Sequence, residues 1–307
     1  MEYADRVDRI ELSAIREAFN AAGEDAINLG IGQPDFDTPE NVKQAAIDAI
    51  ERGDASGYTA NHGIDELRRA VAESLNFDAS PDQVLVTAGG SEALHLSLET
   101  YVNPGDEVIF PDPGFVSYDA LTKVAGGEPV PVPLNEELRL EPETVKEAVT
   151  DDTAAIIVNS PSNPTGSVQT REEMKAFAEI ADDNDVMLIS DEVYHKLIYE
   201  GEHHSPAEFG DNVVTIDAVS KTYSMTGWRL GYVIAEEETV GKMIKVHQYI
   251  QACATAASQY AALEALTGPQ DAPDRMKEEF EARRDILLEG LDEIGLEYPN
   301  PRGAFYA

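Results

Sequence analysis

The chain has 307 residues, enough for about two domains and a sizeable buried core. Lys plus Arg number 22 against 59 Asp plus Glu, and the resulting net charge of −37 repels phosphate backbones and anionic lipid, so nucleic acid and membrane surfaces are poor partners. Cys253 has no second cysteine to pair with, no apolar run reaches the length of a bilayer span, and Met1 to Glu11 is charged with no hydrophobic signal core. The composition predicts a soluble, cytoplasmic protein.

The acidic residues are spread along the whole chain, unlike the single block of an acidic tail. Only nine lysines occur. A lysine-poor, Asp/Glu-rich surface suits a salt-rich cell interior, where the Debye length shrinks to roughly 3 Å and self-repulsion is screened. The alternative is an ordinary acidic enzyme. A charge of −37 is far outside the range of roughly 2–8 that solubility needs in a small domain, and this favours salt adaptation.

Apolar runs alternate with helix-period segments, the pattern of an α/β protein, with no internal repeat and no low-complexity linker. Val84 to Thr87 reads as a strand entering Gly89-Gly90-Ser91, with a helix over Glu92 to Tyr101. Glu107 to Phe110 is a second strand, after the turn Asn103 to Asp106. Ala154 to Val158 is a buried strand leading into Asn159-Ser160-Pro161-Ser162-Asn163-Pro164-Thr165-Gly166. A capping box, Thr170 with Glu173, opens a helix running to about Ala181. Val186 to Ile189 and Val213 to Ile216 are further strands, ending towards Asp191 and Lys221. Gly241 to Leu266 reads as one helix, stopped at Gly268-Pro269, and Ala272 to Ile294 as a second, long one crossing to another domain. Pro301 to Ala307 reads as a turn and the start of a strand. With no successor to pair with, that strand leaves the chain looking incomplete.

Asn163, Asp191 and Lys221 each stand just beyond a buried strand. Ligands bind outside the carboxyl ends of strands in an open α/β sheet, so the three are expected to meet in one crevice. Taken singly, each has a plainer reading. An Asn here is a turn former, an Asp after a strand a cap or solvated loop residue, and a Lys a surface charge. Together they match the needs of pyridoxal phosphate chemistry. A lysine forms a Schiff base with the cofactor aldehyde, a carboxylate keeps the pyridine nitrogen protonated, and a neutral donor holds the phenolate oxygen. Gly89-Gly90-Ser91 at a strand-to-helix turn offers backbone N–H groups to a phosphate, although it is also an ordinary tight turn. Arg229 is a candidate phosphate fork. Phe115 is a candidate for stacking on the ring, its plainer reading being core.

At this point the chain resembles a known family. Ser220-Lys221-Thr222-Tyr223-Ser224-Met225-Thr226-Gly227-Trp228-Arg229-Leu230-Gly231 is similar to the lysine signature of class I/II aminotransferases, the fold-type-I pyridoxal phosphate family. Further motifs resemble that family in the right order. They are Leu29 to Phe36 (LGIGQPDF), Tyr58-Thr59 with Gly63 and Leu67-Arg68, Thr87 to Leu94 (TAGGSEAL), Asn159 to Gly166 (NSPSNPTG), Asp191-Glu192-Val193-Tyr194, and Pro301 to Tyr306.

The resemblance implies a three-layer α/β/α large domain with a mostly parallel sheet, plus a smaller α+β domain. It divides the chain into an N-terminal arm with part of the small domain (1–38), a cofactor domain (39–269), and a linking helix with the start of the C-terminal small domain (270–307). It implies that Lys221 carries pyridoxal 5′-phosphate and shuttles the substrate proton. Asp191 pairs with the pyridine nitrogen, Asn163 and Tyr194 hold the phenolate oxygen, and Phe115 stacks on the ring. Gly90, Ser91, Ser220 and Arg229 bind phosphate, with Tyr58 contributed by the partner chain of a homodimer. The backbone at Gly32 faces the substrate carboxylate.

Two departures stand out. Ala218 sits three residues before the lysine, where many relatives have a phosphate-binding Ser or a Gly. The arginine that clamps the substrate carboxylate in the family has no counterpart here, since the expected position lies beyond Ala307. The activity implied is ping-pong transfer of an amino group between an L-amino acid and a 2-oxo acid. A related lyase catalysing C–S β-elimination and a catalytically silent cofactor-binding scaffold are the alternatives. The preferred amino donor is not legible.

Overall fold

The computed structural model describes residues 3–12, 29–30 and 32–307. Residues 13–28 of the expected N-terminal arm, and Ile31 of the LGIGQPDF stretch, lie outside the described residues.

Strands β1 (Val84–Thr87), β2 (Glu107–Asp112), β3 (Glu128–Pro133), β4 (Thr153–Asn159), β5 (Met187–Asp191), β6 (Val213–Ala218) and β7 (Gly231–Ile234) form one sheet in the order β1-β7-β6-β5-β4-β2-β3. The pairs among β3, β2, β4, β5 and β6 are parallel, and β7 runs antiparallel to both β1 and β6. The helices are α1 (Glu40–Arg52), α2 (Asp65–Ser74), α3 (Gly90–Tyr101), α4 (Ser117–Ala125), α5 (Pro142–Ala148), α6 (Arg171–Asn184), α7 (Glu237–Ile250), α8 (Ala256–Thr267) and α9 (Asp271–Glu293). Single helical turns at Asp5–Asp8 and Val219–Thr222 complete the α-helical segments among the described residues. No helix among them is long and apolar enough to cross a membrane.

Both faces of the sheet are covered, which is why its central strands are apolar without alternation. Ile157, Ile189 and Val214 point into a cluster with Leu94, Leu96 and Leu98 of α3 and Met243 of α7. The residues one position earlier, Ile156, Leu188 and Val213, point the other way, towards Met174 and Phe177 of α6. The parallel register sets Asn159 opposite Asp191 and Asp191 opposite Ile216. The carboxyl ends of β4 and β5 are therefore level, β6 runs two residues further, and the polar residues at these ends share one rim of the sheet.

The five strands expected at 84–87, 107–110, 154–158, 186–189 and 213–216 are present, one or two residues longer at some ends. β3 and β7 were not expected. β3 reads Glu-Pro-Val-Pro-Val-Pro, a sequence that argues against a strand. It is tolerated because, among the described residues, β3 pairs on one side only, with β2. Its three prolines occupy every second position, so their missing N–H groups fall on the open side. The same prolines blunt that edge against further pairing.

Two expectations are corrected. Gly241 to Leu266 is not one helix: α7 ends at Ile250 and α8 starts at Ala256. Cys253 lies in the break, not in a helix. Ala252 there has φ of 64°, and its carbonyl accepts a hydrogen bond from Asn61 Nδ2 at 2.6 Å. A side chain from 191 residues away thus meets the backbone where this Ala-rich run leaves the helix. The strand expected at Pro301 to Ala307 is a single antiparallel bridge, Ile198 to Gly303. The segment is held instead by backbone bonds from Arg302 and Gly303 to Gly166 and from Ala304 to Leu197, so its partners are turns and not a strand.

Candidate active site

A cavity of about 510 Å³ opens at the rim described above. Lys221, Asp191, Tyr194, Asn163, Phe115, Gly90, Ser91, Ser220, Arg229 and Gly32 all line it, together with Ala218 and Tyr306. Of the site residues expected from the sequence, Tyr58 alone does not: it stands 90% exposed on the surface.

Asp191 is the last residue of β5, buried, with its carbonyl accepting Asn159 Nδ2 at 2.8 Å. Asn159 Oδ1 in turn accepts the Asn163 N–H at 2.6 Å, so one side chain ties the NSPSNPTG turn to the end of β5. The Asp191 carboxylate accepts a hydrogen bond from Tyr118 at 2.8 Å. Burial pushes the Asp191 carboxyl up to about 6, against the opposing pull of Tyr118 and of the Val193 N–H.

Lys221 lies in the helical turn that follows β6. Its Nζ donates to the Gly32 carbonyl at 2.7 Å and sits 5.7 Å from the Tyr194 ring centre and 5.8 Å from that of Phe305. Burial lowers the Lys221 ammonium to about 8, and the Arg229 charge pushes the same way while Asp191 opposes. An amine brought this close to neutrality is available as a nucleophile and as a base. The Tyr194 hydroxyl meets the Tyr306 hydroxyl at 2.7 Å. Burial first, and Tyr306 second, raise Tyr194 well above the ordinary range; Tyr306 itself is pushed up by burial to about 12.

The part of the cavity wall formed by α3 and Arg229 is cationic. Gly89, with φ of 86°, turns the chain from β1 into the N-terminus of α3, and Gly90 and Ser91 present the first turn of that helix. Arg229 lies so close that a Cβ on Gly89 would stand 2.7 Å from its Nη2. From behind, a Cβ on Gly231 of β7 would stand 2.7 Å from both the Gly89 carbonyl carbon and the Gly90 nitrogen. Two glycines therefore let a guanidinium and a strand close on this turn from two directions. The part-buried Glu92 carboxylate accepts the Ala88 N–H and pairs with His247 Nδ1 at 2.8 Å, which fixes the turn from within.

This donor set fits pyridoxal phosphate. A helix N-terminus with an arginine suits a phosphate, a buried carboxylate a pyridinium, and an amine at about 8 an aldehyde. The sequence reading missed Tyr118 and gave Tyr306 no role. Tyr118 carries no motif signal, since it is a tyrosine on the apolar face of a helix. Tyr306 was visible only as part of a turn motif.

The class defined by this fold and site is a pyridoxal phosphate-dependent transferase on a mostly parallel α/β sheet. The chain belongs to the family Aminotransferase class I and II, which matches residues 24–307. It is 47% identical over 311 aligned residues to the probable aspartate aminotransferase of Methanocaldococcus jannaschii, a match covering 98% of this chain and 82% of that protein. It is 40% identical to aromatic-amino-acid aminotransferase 2 of Thermococcus litoralis, over 100% of this chain and 82% of that one. Among solved structures, aspartate aminotransferase from Thermus thermophilus with maleate superposes with a TM-score of 0.94 at 38% identity, over 99% of this chain and 84% of that one. The protein is a pyridoxal phosphate-dependent aminotransferase that acts on amino acid and 2-oxo acid substrates.

Proposed function

We propose that Lys221 is the cofactor-bearing lysine and proton carrier of this aminotransferase, that Asp191 partners the pyridine nitrogen, and that Asn163 and Tyr194 hold the phenolate oxygen. Gly90, Ser91, Ser220 and Arg229 take the phosphate, Phe115 stacks on the ring, and the backbone at Gly32 faces the substrate carboxylate. The observation that carries this reading is the convergence of Lys221, Asp191 and the Gly90-Ser91-Arg229 cluster on one cavity from three separate stretches of sequence.

When bound, pyridoxal phosphate supplies an aldehyde for the amino group and an electron-accepting ring. The protein does the rest. Lys221 would hold the cofactor through its amine and, once free, would carry the proton taken from the substrate Cα. Its lowered proton affinity makes it a competent base near pH 8. Asp191 keeps its negative charge against the ring nitrogen. Tyr194 and Asn163 would hold the phenolate oxygen, while Arg229 and the α3 N-terminus would hold the phosphate.

The amino donor belongs among the classes its relatives are named for, aspartate or aromatic amino acids. Residues 39–269 act as the cofactor domain, with 1–38 the N-terminal arm and part of the small domain and 270–307 a linking helix and the start of the C-terminal small domain. The working unit is a homodimer whose partner supplies Tyr58. In support, Tyr58 is 90% exposed, and the Asn61 bond to Ala252 ties its loop to a segment where Tyr249 is 86% exposed. The enzyme works in a salt-rich cytoplasm, as the charge of −37 suggests.

The test is borohydride reduction of the cofactor-loaded enzyme followed by peptide mass spectrometry. The reduced cofactor should be found on Lys221, and Lys221→Ala should carry none. An adduct on another lysine would overturn the assignment. Assays of aspartate and tyrosine against 2-oxoglutarate separate the two donor classes.

A further inference from the structure

We propose that Tyr118 is a positioning residue for the reaction, one whose buried hydroxyl holds the Asp191 carboxylate in the orientation and charge state that the cofactor's ring nitrogen requires. This rests on the reading of Asp191 as the partner of that nitrogen.

Tyr118 is in the first turn of α4, with none of its surface exposed. Its ring packs edge-on against Phe115, with centres 5.7 Å apart, and tilted against Phe110 at 6.3 Å. Its N–H donates to the Phe115 carbonyl, and its own carbonyl accepts Thr122 Oγ1 at 2.7 Å. Ring and backbone are thus fixed, and the hydroxyl has one direction to point. It donates to Asp191 Oδ2 at 2.8 Å. The other bond to that carboxylate is long, from the Val193 N–H to Oδ1 at 3.5 Å. Space alone would not select tyrosine here. A phenylalanine fills the same volume without a hydroxyl to desolvate, so the hydroxyl is kept for the bond it makes.

The charges around Asp191 make that bond matter. Tyr118 faces it from α4, Tyr194 follows it in the chain, and Tyr306 lies beside Tyr194. Lys221 faces it from the turn after β6 and favours the ionised form. Asp217 on β6 disfavours it, although His195 lies 3.4 Å from Asp217 and offsets part of that charge. Burial already brings Asp191 to about 6 with Tyr118 in place. A hydrogen bond to a charged group is strong enough that its loss raises a carboxylate by roughly one to two pH units. That would carry Asp191 into the neutral range, where the carboxylate and the ring nitrogen compete for one proton.

The experiment loads the wild-type chain, Tyr118→Phe and Asp191→Ala with pyridoxal phosphate ¹⁵N-labelled in the ring, and follows the nitrogen resonance from pH 6 to 9. Wild type should show a protonated nitrogen throughout. In Tyr118→Phe the deprotonation midpoint should fall by roughly one pH unit or more. A Tyr118→Phe titration that superimposes on wild type, while Asp191→Ala is altered, overturns the inference and leaves the site reading standing. An unaltered resonance in Asp191→Ala overturns the site reading itself, and the inference with it. A second measurement avoids dependence on cofactor loading. In the cofactor-free chain the Asp191 ¹³Cγ signal should titrate at higher pH in Tyr118→Phe than in wild type, and equal midpoints would overturn the inference.

Discussion

Lys221 Nζ donates to the Gly32 carbonyl at 2.7 Å, a bond between residues 189 positions apart. It brings Gly32 against the lysine, where a side chain has room only if Tyr306 shifts. A Cβ at Gly32 would stand 2.1 Å from the Tyr306 hydroxyl oxygen. Gly32→Ala should therefore push Tyr306 away from Tyr194 and loosen the wall around Lys221. Overpacking of this kind costs about 1–3 kcal/mol, so kcat/KM should fall by roughly tenfold to a hundredfold. Steady-state kinetics beside a thermal melt will check it; unchanged kcat/KM would show that Tyr306 is a bystander.

Asp191 should cost the cofactor-free protein stability. Its folded pKa of about 6 lies above the ordinary 3.8, so the folded state binds the extra proton between those values. Stability therefore falls as pH rises through that window, and the full penalty is present above about pH 6. The shift corresponds to at most about 3 kcal/mol. Asp191→Asn should raise the apo melting temperature at pH 7.5, with the gain vanishing below about pH 4, while kcat drops on the order of 10²–10³-fold. An apo melting temperature equal to wild type at pH 7.5 would contradict the burial argument.

Gly231→Ala places a methyl 2.7 Å from the Gly89 carbonyl carbon and the Gly90 nitrogen. The phosphate turn must move, and cofactor affinity should weaken by roughly tenfold or more. Gly241→Ala is the control: it lies in α7 with nothing within 4 Å of the added carbon, and should stabilise by about 0.5–1 kcal/mol. Spectrophotometric titration with pyridoxal phosphate separates the two. Equal affinities would mean that the turn has more room than its contacts allow.

A homodimer with shared sites predicts that Tyr58→Phe weakens cofactor binding although Tyr58 is absent from the cavity wall of its own chain. Sedimentation velocity should show two copies together. A monomer with undiminished cofactor affinity would defeat the proposal.

The charge of −37 predicts a melting temperature that rises from low salt to molar potassium chloride. An equal or lower midpoint in high salt would leave the enzyme simply acidic.

What the sequence determined by itself was local. Buried strands ending in Asn159, Asp191 and Ala218 are apolar runs with polar residues at or just after their ends, and parallel pairing then brings those ends to one rim of the sheet. The Thr170–Glu173 capping box lies within four residues and forms as read, with the Glu173 N–H on Thr170 Oγ1 at 3.2 Å. Tertiary structure decided what depends on distant partners. Nothing near Tyr118 announces the carboxylate it meets 73 residues later. The Ala-rich run breaks at Ala252, where Asn61 reaches it, and β3 keeps its prolines on the side that pairs with no strand among the described residues. β7 is a four-residue strand inserted antiparallel between β1 and β6, and its Gly231 is needed for a turn 141 positions earlier. Propensity and periodicity act over a few residues, whereas a single hydrogen bond or close approach across the fold can override both, because it is formed only once the chain has brought the two ends together.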